Sequence, residues 1–392
     1  MNGPRALYAA FDRVPTAKGA SIHIAHMAGA MQRAFGGALV ACLSGGVLPA
    51  VEREGTLEVR RLAAGHAHLV DRIAAWQAAL GGLVRAHAGS LELCHFRDPW
   101  SGIPILDAGG AFRTVFEVNG LPSIEMPERY PAIAPHTVEK IRALERRCLR
   151  EAERILVPAE SLARNLARLG VDRGRITVVP NGADIPAPQP RPPSAPSRYV
   201  LYFGALQAWQ GVGTAIAAMA RLLDTDLSLV VCSSHPPRVG AALRARAARL
   251  GVAERVLWRH ELPRDELAAW VEHAVATLAP IAETPRNLEQ GCCPLKVLES
   301  MAAGTPVIAS DLAPVRELVA HGEHGLLVRP GRPELLARAI RRLDDDAALR
   351  EQLGRDARER VRAFYRWDAI EERVARWYLE PAAPRAALGG RR

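Results

Sequence analysis

Short apolar runs alternate with longer amphipathic stretches along this chain, the rhythm of strands and helices stacked as α/β layers with parallel sheets. Residues 6–11 read as a first strand and 21–35 as a helix with small residues along one side. Apolar runs at 39–43, 91–95 and 113–118 predict further strands, with helices over 71–88 and 137–153 and a strand at 155–157. Prolines then crowd residues 185–197, a stretch unsuited to a core. A second α/β unit begins at 199–203 and continues with strands at 227–232, 256–258, 274–278, 307–309 and 326–328. The pattern divides the chain into a unit at 1–185, a linker at 186–198 and a unit at 199–365, with a helix at 366–380 and a disordered tail at 381–392. Two such units facing one another place ligands at the carboxyl ends of their strands, in the cleft between them.

At 392 residues the chain is too long for one ordinary core, which agrees with two domains. A hydrophobic fraction of 49% excludes wholesale disorder. The net charge of +9 is spread evenly, with 22 basic and 18 acidic residues up to position 185 and 29 and 24 beyond it. No basic patch interleaved with aromatics stands out, so a nucleic-acid partner is not expected. Arginines between 142 and 154 are interspersed with Glu145, Glu151 and Glu153, a pattern that suits a solvated face and leaves room for peripheral membrane contact. The six cysteines show neither zinc spacing nor a small disulfide framework. With no signal-peptide pattern and no apolar run of eighteen residues, a cytoplasmic location is expected, extending to the inner face of the membrane.

The densest chemistry lies in 280–312. Pro294 suits a helix start, Leu295, Leu298 and Met301 supply a buried face, and Gly304 is placed to end the helix. Free N–H groups around Gly291, Cys292, Cys293 and Pro294 and the helix dipole favour an anion. Lys296 follows in the first turn, and Glu299 lies three residues on along the same face. Only three of the 51 basic residues are lysine, namely Lys18, Lys140 and Lys296, and two of these sit beside glycine-bearing loops. A compact ammonium fits a crowded phosphate pocket better than a guanidinium. A solvated Lys296–Glu299 ion pair is the alternative. Asp224-Thr225-Asp226 precedes a strand instead of following one, so it reads as a turn and no metal site is expected. His23 and His26, on the first helix, read as packed or solvated.

Cys293-Pro294-Leu295-Lys296-Val297-Leu298-Glu299 and the run from Met301 to Ser310 closely resemble the donor-site motif of glycosyltransferase family 4, retaining enzymes of the GT-B fold with two Rossmann-like domains. Pro180-Asn181-Gly182-Ala183-Asp184 is similar to the family's interdomain PNGVD turn, and Glu117-Val118-Asn119-Gly120 to its E-V-H-G segment. The resemblance implies that the last helix crosses back to the first domain. It also implies a metal-independent transfer of a sugar, without a resident cofactor, from a nucleotide-diphosphate donor, UDP- or GDP-sugar by family habit. The acceptor would be a hydroxyl of a glycan, a lipid-linked sugar or a small metabolite. Lys296 would meet the diphosphate and Glu299 the ribose, with Gly19, Gly204, Gly291, Cys292, Cys293 and Arg286 completing the donor site and Lys18 near the phosphates.

Departures from the family pattern matter too. The loop Gly204-Ala205-Leu206-Gln207-Ala208-Trp209-Gln210-Gly211 lacks the arginine and lysine of GRL…KG, as in a subgroup reading WQG. The first glutamate of the family's Glu-x7-Glu pair is Gly291 here, which leaves Glu283 or Glu289 as candidates to reach the sugar. The E-V-H-G histidine is Asn119, which orients hydroxyls and is no general base. A GT-B epimerase or phosphorylase, or a degenerate nucleotide-sugar-binding protein, remains the alternative.

Overall fold

The computed structural model describes residues 3–16, 19–45, 47–63, 65–66 and 68–381. Lys18 and the tail from 382 lie outside the described residues. In the first half, β1 (Ala6–Arg13), β2 (Ala38–Leu43), β3 (Val51–Glu54), β4 (Leu57–Leu62), β5 (Leu93–Phe96), β6 (Arg113–Glu117), β7 (Arg154–Val157) and β8 (Ile176–Val178) form one sheet. Its order is β3-β4-β2-β1-β5-β6-β7-β8. All neighbours are parallel except β3, which pairs antiparallel with β4. β2 and β5 are buried along their whole length and β1 over its first five residues, as strands covered on both faces must be. By contrast Val-Glu-Arg-Glu of β3 is exposed throughout and carries no apolar face, so hydropathy gave no sign of it.

The second half builds a six-stranded parallel sheet from β9 (Tyr199–Gly204), β10 (Ser228–Ser233), β11 (Val256–His260), β12 (Ala276–Ala279), β13 (Val307–Ser310) and β14 (Gly325–Val328). Its order, β11-β10-β9-β12-β13-β14, is that of a Rossmann fold. Both sheets change direction beside their first strand, between β1 and β5 and between β9 and β12. Loops leaving the carboxyl ends on either side of such a switch diverge and open a crevice. Residues 186–198 join the domains as a proline-rich strap, fastened where Gln189 N donates to Glu272 Oε2 at 2.8 Å.

The helix Trp367–Leu379 returns to the first domain and packs on the helix Gly19–Phe35 over one sheet face. The His26 ring stacks on Trp367 at 4.1 Å, and its Nδ1 lies 2.6 Å from Glu371 Oε1, so His26 serves this seam. Arg154 lies over the Trp377 ring at 3.7 Å and donates to the Trp377 carbonyl, satisfying one of the helix's last oxygens. The domains also meet directly. Glu317 accepts from Glu160 N and Ser161 N, each at 2.8 Å, and so caps the start of the N-domain helix Glu160–Arg168.

The Asp224-Thr225-Asp226 segment is an ion-paired surface turn, with Asp224 on Arg341 and Asp226 on Arg198. On the helix Pro135–Glu151, Arg142 pairs with Glu139 and Arg147 with Asp107 and Glu151. No helix among the described residues is long and apolar enough to cross a membrane.

Candidate active site

Both crevices open into one interdomain cleft. A cavity of about 750 Å³ is lined from the second domain by Gly204, Gln210, Lys296 and Glu299, and from the first by Gly19, His23, Arg97 and Asn119. A second cavity of about 870 Å³ shares Arg97, Asn119, Gln210 and Arg286 with it and extends over the first domain to Trp100, Met126 and Tyr130. The two are halves of one trough, one long enough for two ligands to meet.

Lys296 sits in the first turn of the helix Leu295–Ala303, which Gly304 ends in the left-handed conformation. Its Nζ donates to Gln210 Oε1 at 2.7 Å and to Tyr202 Oη at 3.0 Å, and rests 4.1 Å over the Tyr202 ring. Gln210 of the WQG loop thus orients the lysine where the family pattern has cations of its own. Withdrawal from water pushes the ammonium down to about 7, against the pull of the Glu299 carboxylate. Burial likewise raises the Glu299 carboxyl, opposed by Arg264 and Lys296. Gly204, at the end of β9, has φ +115° and would set a side chain 3.6 Å from Lys296 Nζ. Glycine there clears the space in front of the ammonium.

The other expected donor residues fall into two groups. Cys292 and Cys293 line the cavity, and Arg286 does so while held to Glu125 at 3.2 Å. Burial pushes both thiols up, so they present neutral S–H groups. Gly19 also lines the cleft, but its close neighbour is Leu295: an added Cβ would lie 2.7 Å from Leu295 Cδ1. Its smallness lets the two domains approach.

Gly291 is not in the cleft lining. It turns away against Ser161 and Leu162 with φ 71° and ψ 179°, a region open essentially to glycine alone. The backbone itself therefore excludes a glutamate there. Glu283 and Glu289, the expected sugar contacts, are exposed and likewise outside the lining. A π-helical turn, Arg286–Gln290, carries Glu289 outward and swings Gln290 inward instead. Gln290 accepts from Leu121 N at 2.9 Å and donates to Glu125 Oε1 at 2.8 Å, so this loop grips the opposite domain.

On the first-domain wall, Asn119 follows β6 and its side-chain amide is buried with no partner for Nδ2 among the described residues. The residue lines both cavities, and Nδ2 sits just beneath their surface. Behind it lies a group that motif reading did not assemble. Glu117 is fully buried and receives Tyr8 Oη at 2.7 Å, with His95 Nε2 at 2.9 Å, Arg97 Nε at 3.3 Å and His23 Nε2 at 2.6 Å. Burial alone would raise this carboxyl, but the His23 charge and the donors from both histidines hold it well below the usual range. Near the far end of the cavity Glu261 takes φ 49°, a strained backbone for a non-glycine residue. Apart from the pairs His95/Arg97 and Glu117/Asn119, these residues are far apart in sequence, and the fold brings them together.

Two facing Rossmann-like domains, a returning last helix and a cleft at both switch points define the GT-B class. Residues 18–182 match the family described as glycosyl transferase 4-like domain, and residues 197–346 the family described as glycosyl transferases group 1. Each domain thus carries its own match to a glycosyltransferase family. The chain is 30% identical over 246 residues to a glycogen synthase of Mycobacterium tuberculosis (strain ATCC 25618 / H37Rv), covering 61% of this chain and 57% of that one. It is 33% identical over 230 residues to a D-inositol 3-phosphate glycosyltransferase of Corynebacterium glutamicum (strain R), covering 54% of this chain and 53% of that one. The alignments thus span little more than half of those relatives. In fold it is similar to the sucrose-phosphate synthase of Thermosynechococcus elongatus, with a TM-score of 0.80 at 23% identity over 95% of this chain and 98% of that one. Anabaena HepE in complex with UDP-glucose gives 0.73 at 17% identity, covering 96% and 99%.

Proposed function

We propose that this protein is a retaining, metal-independent glycosyltransferase that moves a hexose-type sugar from a nucleoside-diphosphate donor to an acceptor hydroxyl. The observation that carries the reading is the pairing of Lys296 and Glu299 on one helix start inside the cleft, with a second cavity adjoining it on the facing domain. Glu299 accepts from the two ribose hydroxyls of the nucleotide. The diphosphate lies at the helix start against Lys296, whose ammonium is already oriented by Gln210 and Tyr202. As the bond from anomeric carbon to diphosphate breaks, negative charge grows on the leaving oxygen, and Lys296 stabilises it. The acceptor attacks from the same face of the sugar, and the departing diphosphate takes its proton. Asn119, lining the facing wall, orients a substrate hydroxyl through its side-chain amide.

A UDP- or GDP-sugar is the donor of choice, a reading supported by the HepE complex with UDP-glucose. The acceptor belongs to glycan, lipid-linked sugar or metabolite synthesis, at the cytoplasmic side. The test is a thermal-shift screen against UDP, GDP, ADP, TDP and CDP and their sugars, since a ligand of the native state raises its stability. One base should stand out, and its sugar should be turned over in the presence of chelator. No shift with any nucleotide removes the reading and leaves a degenerate relative. Strict dependence on manganese or magnesium removes the metal-independent part.

A further inference from the structure

The half of the trough that extends over the first domain carries a charge that sugar transfer as described above leaves unexplained. Its cavity of about 870 Å³ is lined, among the described residues, by five arginines and three carboxylates. Each carboxylate is already engaged. Asp12 accepts from Arg97 Nη1 at 3.4 Å, and Glu125 accepts from Arg286 Nε at 3.2 Å and Gln290 Nε2 at 2.8 Å. Asp98 accepts from Phe11 N and Ser101 N, each at 2.8 Å, and so caps the helix Pro99–Ala108. Arg97 is held from behind as well, its Nε donating to Glu117 Oε1 at 3.3 Å.

That leaves Arg13, Arg72 and Arg129. Arg13 ends β1, Arg72 lies near the start of the helix Leu69–His87, and Arg129 closes the helix Pro122–Arg129. Arg13 and Arg129 are exposed and form no ion pair among the described residues. Arg129 lies over the Tyr130 ring at 5.5 Å, and Arg72 Nε donates to the His66 carbonyl at 3.0 Å. A merely solvated arginine face is interleaved with carboxylates that pair with it, as on the helix Pro135–Glu151. Here three elements far apart in sequence bring guanidinium groups to one concave wall whose carboxylates are taken. Like charges gathered in a cleft raise the potential there and draw in an anion. The same wall offers aromatic and apolar surface at Trp100, Met126 and Tyr130 for a ring, and Asn119 where it joins the donor half. A phosphate has oxygens enough to meet guanidinium forks from more than one element.

We propose that the acceptor is a sugar or polyol bearing a phosphate, and that Arg13 and Arg129, with Arg72, bind that phosphate at the first-domain end of the trough. Its free hydroxyl then points along the trough to the donor half. The proposal rests on the transferase reading only in calling this ligand the acceptor. A soluble sugar phosphate and the headgroup of a glycolipid present the same phosphate, and the test separates them.

The test compares phosphorylated molecules with their neutral twins on the full-length protein. Calorimetry measures hexose, pentose and cyclitol monophosphates, each against its dephosphorylated form. Flotation measures vesicles of phosphatidylcholine alone or mixed with phosphatidylinositol. At least one phosphate should bind about tenfold or more tightly than its neutral twin, in wild type and in Lys296→Ala alike, which keeps the donor half out of the reading. Arg13→Gln combined with Arg129→Gln should remove about tenfold or more of that affinity and leave the neutral twin unchanged. Both side chains are exposed, so the fold is not at stake. A soluble phosphate that meets these conditions makes the acceptor a sugar phosphate, and binding confined to phosphatidylinositol vesicles makes it a lipid headgroup. No preference for any phosphate, in solution or on vesicles, overturns the proposal, as does a preference that survives both substitutions. Arg13 lies outside the donor half, so Arg13→Gln should leave nucleotide Kd within about twofold. Equal losses for nucleotide and phosphate would reduce it to a general attractant of anions and overturn its role. Failure of wild-type protein to bind any nucleotide counts instead against the transferase reading, and the phosphate preference still decides the anion site.

Discussion

On the second-domain wall of the cleft, Lys296 and Glu299 come from one nine-residue helix, Leu295–Ala303. On the facing wall, His23, Arg97, Glu117 and Asn119 come from the first helix, the end of β5 and the end of β6. The first wall is a local device: a helix start orients its own charge, and one loop residue, Gln210, steadies it. The second is a tertiary device, in which a buried carboxylate accepts from Tyr8 and Arg97 and has the His23 and His95 rings beside it. Local devices tolerate change around them, because few partners define them. Networks of buried charge do not, since removing one member leaves another unpaired in low dielectric.

The sharpest way to break this comparison is Lys296→Ala. Its loss should lower kcat/KM by roughly 10²–10³-fold, the scale of removing one charge-stabilising donor from a transition state. The thermal midpoint should hardly move, because Tyr202 Oη keeps its bond to the Ala205 carbonyl and Gln210 keeps access to water. Lys296→Arg should not rescue activity, as Gln210 and Tyr202 already crowd the head group at 2.7 and 3.0 Å. Unchanged donor kinetics in Lys296→Ala would take the residue out of the site.

A second effect is about tenfold per pH unit. The Lys296 ammonium, pushed down to about 7 by burial, regains its proton when a diphosphate settles beside it. Nucleotide affinity should therefore fall about tenfold per unit above pH 7 until the bound-state value is reached. Calorimetry at pH 8 in buffers of different ionisation enthalpy should show proton uptake, abolished in Lys296→Met. For the free protein the sign is the reverse. The unfolded chain holds this proton up to the ordinary lysine range while the folded one releases it near 7. Stability from this group thus rises with pH between those values. A flat affinity profile from pH 6.5 to 9 would show that Lys296 stays charged in the empty site.

The same contrast decides what could be read from the sequence. The Lys296 helix was legible because period, helix start and end, and chemistry all sit within residues 293–304. Most strand positions followed from short apolar runs, while β3, β4 and β8 escaped; the exposed Val-Glu-Arg-Glu of β3 carries no apolar face. Whether Glu283 or Glu289 reaches the sugar could not be read from chain distance, because a π-helical turn decides that Glu289 is exposed and Gln290 is turned inward. His23 was set aside as packed, and it is packed. Its partners, Glu117 and Asn181, are 94 and 158 residues away, and no local pattern joins such positions. Gly291 looked like an anion-binding amide, yet its φ of 71° with an extended ψ marks it as a backbone turn against Ser161.

A smaller effect separates the two ends of the donor site. Glu299→Gln keeps the shape but replaces a carboxylate that accepts two ribose hydroxyls with an amide that accepts through one oxygen. Nucleotide affinity should fall roughly tenfold. Acceptor KM should be unchanged, because Glu299 does not line the first-domain cavity. Equal losses for both ligands would make it a structural partner of Lys296 and Arg264 instead.

The smallest expected effect concerns the two glutamates offered as sugar contacts. Glu283→Gln and Glu289→Gln alter exposed side chains outside the cleft lining, so donor KM and kcat should stay within about twofold of wild type. A large loss in either would mean that the π-helical loop rearranges around the donor and carries the glutamate in. Such a movement would have to release Gln290 from Glu125 and Leu121, so Gln290→Ala is the discriminating companion. If the loop must move, freeing it should assist the donor. If the loop is the fixed interdomain grip seen here, Gln290→Ala should weaken the donor instead, through misplacement of Cys292 and Cys293.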